Sequence, residues 1–189
     1  MDENRPNQAL ALLCDSYQDI LEQAFYSAID RYYERHNDEL LVISPATKAG
    51  YISDYIYHNL KGGLEGKDGV TFIEKRQMRF ILFDGQLLIR VKKLNSELQP
   101  SLNRTKSAQA FHHQQMLGDF PLALHVYLGY VLDKISGEMN TVAFACPDTS
   151  GNMAWRVDLQ EKRVQRRLDF NSIVAAQLKK RIRIKRKTG

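Results

Sequence analysis

A chain of 189 residues, 43% of them hydrophobic, can bury the core of one domain without disulfide or metal staples. Its two cysteines, Cys14 and Cys146, stand far apart without ligand-like spacing, which argues against a disulfide framework and for a reduced, cytoplasmic setting. The net charge of +5 is uneven: residues 161–189 hold 11 Lys/Arg against 2 Asp/Glu, whereas residues 1–160 hold 16 against 20.

No apolar run reaches the roughly eighteen residues of a membrane span, and the opening Met1-Asp2-Glu3-Asn4 is unlike a signal peptide. The expectation is a soluble protein with no membrane partner. In chain order, Pro6 suits a first helical turn. From there Leu10, Leu13, Cys14, Tyr17, Leu21, Ala24, Phe25, Ala28 and Tyr32 recur at helical spacing as far as His36-Asn37, with a break allowed near Asp15-Ser16. Ser44 is placed to cap a second helix with Pro45 at its first position. Ala49, Ile52, Tyr55, Ile56 and Leu60 form its stripe, and Gly62-Gly63 is expected to end it.

Strands are expected from Val70, around a central hairpin. Asp84-Gly85 between apolar runs is a strong type I′ turn signal, because both central positions need positive φ. A two-residue loop would set Phe83 opposite Gln86, Leu82 opposite Leu87 and Ile81 opposite Leu88. One face would then carry Met78, Phe80, Leu82, Leu87, Ile89 and Val91. The other would carry Ile81, Phe83 and Leu88, with Arg79, Arg90 and Lys92 at its open end. Asn95 to Arg104 reads as a loop, Thr105 as the cap of a short helix, and Leu122 to Leu128 as an alternating strand. Two more strands follow, Thr141 to Cys146 and Met153 to Leu159, separated by the turn chemistry of Pro147 to Asn152. From Asp169 a helix with Ile173, Val174, Leu178 and Ile182 on one side leads into 179–187, seven of whose nine residues are Lys or Arg.

The basic end carries the main functional expectation. About seven charges fully engaged on phosphates would give a salt slope of roughly −6 in log K against log [salt], without reading sequence. A disordered solubilising terminus, or an arm that folds on an acidic protein, are the alternatives. Arg79, Arg90 and Lys92 could extend the same footprint; otherwise they keep a solvent-facing sheet edge soluble. The adjacent His112-His113 lacks the spacing of a metal pair and reads as ordinary surface histidine. A restriction-type nuclease is matched only loosely by Asp84 with Arg90-Val91-Lys92, or by Glu65-Gly66-Lys67. The tyrosines of the first two helices, and Trp155, read as packing before base stacking.

The runs Leu88 to Leu94, Arg104 to Phe111, Leu128 to Asp133 and Ala145-Cys146-Pro147, ending on Trp155, resemble a group of bacterial and prophage proteins. That group is encoded beside helix-turn-helix regulators with an ImmA/IrrE-like metallopeptidase domain. The resemblance covers residues 70–160. It implies a regulatory, antitoxin-like partner in a two-protein cassette and supplies no catalytic residues; the Lys/Arg tail departs from it.

The chain is thus expected to be α+β, with an antiparallel sheet of five to six strands, N-terminal helices and a basic C-terminal helix. Residues 1–168 would form one domain (helical over 1–62, sheet over 70–159), and 169–189 the basic helix or tail. The expected function is non-enzymatic binding of nucleic acid, of a partner protein from the same cassette, or of both, with no cofactor and no metal. The nucleic-acid contacts would be Lys179, Lys180, Arg181, Arg183, Lys185, Arg186, Lys187, Arg79, Arg90 and Lys92. A metal-dependent nuclease and a protein-only inhibitor or adaptor are the alternatives.

Overall fold

The computed structural model describes residues 4–39, 42–75, 78–102, 105–118, 120–133 and 136–160. The expected C-terminal helix, with its seven proposed contact residues, lies outside them. Helix α1 (Asn4–His36) runs unbroken through Asp15-Ser16, and a 3-10 turn (Asn37–Glu39) follows it. Its buried stripe is the expected one, from Leu10 and Leu13 through Phe25 to Tyr32. Helix α2 (Pro45–Leu64) is capped by Ser44, whose Oγ accepts from the Thr47 N–H at 3.1 Å.

Gly62 and Gly63 do not stop α2, contrary to expectation, because both lie inside it. A Cβ at Gly63 would stand 2.6 Å from Ile20 Cγ2, so this glycine lets α1 and α2 approach closely. The Asn59 amide also donates to Ala24 O at 3.1 Å across the same pair.

The strands are β1 (Val70–Lys75), β2 (Met78–Phe83), β3 (Leu87–Lys93), β4 (Leu124–Leu132), β5 (Met139–Pro147) and β6 (Met153–Asp158). They form one six-stranded sheet in sequence order. The sheet is mixed, not antiparallel throughout, since β3 and β4 run parallel. A parallel pair needs a crossover, and residues 94–123 supply it, with helix α3 (Lys106–His112) inside. Thr105 caps α3 as expected, its Oγ1 accepting from the Ala108 N–H at 3.3 Å.

The hairpin register also differs from the two-residue expectation. Asp84 (φ 51°) and Gly85 (φ 65°) make the left-handed turn, and Gln86 N–H donates to Phe83 O. Yet Phe83 pairs with Leu87, Leu82 with Leu88 and Ile81 with Ile89. Gln86 stands outside the β2–β3 ladder, and its carbonyl accepts from the Leu124 N–H at 2.8 Å at the start of β4.

One residue of offset moves a whole strand's side chains to the opposite face. Ile81, Phe83, Leu87 and Ile89 therefore share one core with α1, α2, Val126, Leu128 and Phe144. Phe80 and Leu88 share the other with Phe111, Leu117, Phe120 and Tyr127. Both faces are covered: the first by the N-terminal helices, the second by the crossover. Trp155 packs partly buried against the first core.

Candidate functional site

The C-terminal end of β3 is where cationic residues gather. Lys92 and Lys93 pair with Gly129 and Tyr130 of β4, and Leu94 N–H donates to Tyr130 O at 2.9 Å. Gly129 is required here, since a Cβ would lie 2.3 Å from Leu94 Cγ and 2.8 Å from Lys92 O. Beside this point a cleft of about 940 Å³ opens between the start of α2 and the ends of β3 and β4. Alternate side chains leave β3 on opposite faces, Lys92 on the side of Arg90 and Lys93 on the side of Lys48, and both residues line the cleft at the sheet's end.

Burial penalises every charge in this group. It pushes the Arg90 guanidinium and the Lys92 and Lys93 ammonium groups below their ordinary values. Neighbouring cations push the lysines the same way, Arg90 acting on Lys92 and Lys48 on Lys93. Among the described residues no ion pair joins Arg90, Lys92 or Lys93 to a carboxylate. Lys48 donates to Tyr33 Oη at 2.7 Å and lies 4.6 Å from that ring's centre. All three residues are half-buried, and partly desolvated positive charge without a counter-charge is a place where an anionic ligand would be favourable.

Of the three body residues proposed as contacts, Arg90 and Lys92 fall together here, and Arg79 does not. The register offset puts Arg79 on the face toward α2, where it pairs with Asp54 and lies 5.2 Å over the Tyr57 ring. Sequence reasoning passed over Lys93, Lys48 and the start of α2. Lys93 neighbours a named residue, but the parallel pairing that brings α2 and β4 alongside had no local signal.

The histidines also depart from expectation. His112 is buried, its Nε2–H donating to Gly151 O at 2.8 Å while Nδ1 accepts from Tyr127 Oη at 3.3 Å. His113 Nδ1 lies 3.2 Å from Thr149 O. His125 stacks on Phe111 at 4.6 Å between centroids, and its Nδ1 donates to Phe111 O. Gln114 completes the clamp, donating to His125 O and Pro147 O and accepting from His125 N–H. These side chains fasten the crossover to the start of β4 and the β5–β6 turn, so they satisfy buried polar groups. Burial is the main cause that lowers the His112 and His125 pKa values, and it pushes the Tyr127 hydroxyl and the Cys146 thiol up to about 12.

The nuclease pattern is not assembled. Asp84 sits in the turn at the opposite end of β3 from Lys92, and Glu65 is 4.0 Å from Lys61 at the end of α2. Among the described residues no group of three or more His, Cys, Asp or Glu side chains could hold a metal ion. No described helix is long and apolar enough to cross a membrane. No family model, curated protein or solved structure matches the chain.

Proposed function

We propose that the protein is a non-enzymatic binding protein that holds nucleic acid on the cationic end of β3 and on the basic C-terminal segment. The observation that carries this reading is the set Arg90, Lys92 and Lys93, desolvated and without a carboxylate partner among the described residues. The excess of Lys/Arg in residues 161–189 adds a second basic element to the same chain. Phosphate contacts of this kind give affinity and strong salt dependence without base preference. The setting, a regulatory or antitoxin-like role in a mobile-element or phage-related cassette, rests on the resemblance of residues 70–160.

Fluorescence anisotropy with labelled duplex and single-stranded DNA at two salt concentrations tests the reading. Deleting residues 179–189 is expected to flatten the salt slope by several units, and Lys92→Ala with Lys93→Ala by about two. Unchanged affinity and slope in both variants would sink it.

A further inference from the structure

The cleft at the end of β3 has a shape and lining that a polyanion track does not need. Its volume, about 940 Å³, is that of a pocket for a small molecule. Its wall on α2 is built of small residues, Ala46, Ala49 and Gly50, so little projects into the space from that side. A Cβ at Gly50 would meet nothing within 4 Å. Leu132 adds apolar surface opposite, while Asn95 and Asn140 offer amide donors and acceptors. Lys92 and Lys93 bring the positive charge, and among the described residues no ion pair joins either to a carboxylate. Asp133 is the one acidic residue on the wall, and its Oδ1 accepts from the Ser136 N–H at 2.7 Å.

A ligand that satisfies this lining has one compact anionic end, a flat body that tolerates apolar contact, and polar edges. We propose that the cleft binds a nucleoside monophosphate unit, its phosphate on Lys92 and Lys93 and its base between the small-residue wall of α2 and Leu132. The lysines act as point charges on the phosphate, and the amides of Asn95 and Asn140 meet the polar edges of the base or sugar. The same chemistry is carried by a free nucleotide and by the phosphorylated end of a strand. This proposal rests on the reading above for Lys92 and Lys93, which both share, and deletion of 179–189 separates the two.

Isothermal titration of the full-length protein with AMP, adenosine, inorganic phosphate and a 5′-phosphorylated oligonucleotide tests it. AMP is expected to bind at least about tenfold tighter than either adenosine or phosphate. Lys92→Ala with Lys93→Ala should lower AMP affinity at least about tenfold with a Tm no lower than that of the unsubstituted protein, and deletion of 179–189 should leave AMP affinity unaltered. Gly50→Leu, which narrows the cleft from a position with open space beside it, should weaken AMP more than phosphate. Competition between AMP and the oligonucleotide supports a strand end as the natural source, and AMP binding without competition supports a free nucleotide. Phosphate binding as tightly as AMP, AMP binding untouched by the lysine substitutions, or no AMP binding at all would each overturn the proposal. Loss of DNA binding on deletion of 179–189 with AMP binding retained would uphold both readings separately.

Discussion

Two groups of cations, one around Arg79 and one at the end of β3, are treated oppositely. Arg79 on β2, and Lys61 beside it on α2, are answered by Asp54, Glu74 and Glu65. Arg90, Lys92 and Lys93 on β3 have no such partners among the described residues and are more deeply desolvated. The first group is half exposed and paired, which contributes modest stability. The second group is half-buried and unpaired among the described residues, an arrangement that an anion would stabilise. A basic residue is therefore a binding candidate by its missing counter-charge rather than by its charge.

The largest expected effect breaks the platform under the second group. Gly129→Val should cost about 1–3 kcal/mol by forcing Leu94 and the β3 end outward. It should also abolish anion binding at the cleft, read by urea melts and titration together. A neutral result in both would mean that the β3 end yields freely and does not position the lysines.

Acid comes next, because it charges the histidines that hold the crossover over the second face. His112 and His125 have pKa values lowered by burial, so below about pH 6.5 the unfolded chain binds more protons than the folded one. Stability should be full above that pH and fall as the pH drops, until the folded imidazoles themselves titrate. Urea midpoints between about pH 7.5 and 5.5 should decline, and His125→Phe should lessen the slope. A flat profile would contradict the neutral, clamped imidazoles.

A smaller effect separates the two cation groups directly. Lys92→Met should raise stability by up to about 1 kcal/mol, since an apolar side chain loses no hydration in that place. Arg79→Met should lower it by no more than about 1 kcal/mol, with nucleic-acid and nucleotide affinity unchanged. Thermal unfolding of the two variants side by side reads both signs, and equal signs would erase the contrast.

Much of the fold was legible locally. Ser44-Pro45 and Thr105 announced their helices because a capping oxygen acts on a backbone N–H three residues away. The stripe of α1 was readable because helical periodicity is written in one segment. Asp84-Gly85 marked the turn, since positive φ is a property of those two residues. The misread glycines show the limit: Gly62-Gly63 looks like a stop signal until Ile20, some forty residues earlier, packs against it.

Half of the candidate site was visible in the same way. Arg90 and Lys92 stood out as charges on a strand, but Arg79 was grouped with them by a register that Gln86 does not obey. His112 passed for a surface residue because its partners, Tyr127 and Gly151, are brought to it only by the folded crossover. Nothing near Lys93 announces Lys48 or the wall of α2.

The amino-acid order alone determined the helices, their caps, the turn and the alternation within strands, all of which depend on contacts within a few residues. Tertiary structure decided the parallel pairing of β3 with β4, the one-residue register offset of the hairpin, and hence which cations lie together. Register is set across strands: the pairing of β3 with β2 on one side and β4 on the other decides which side chains share a face.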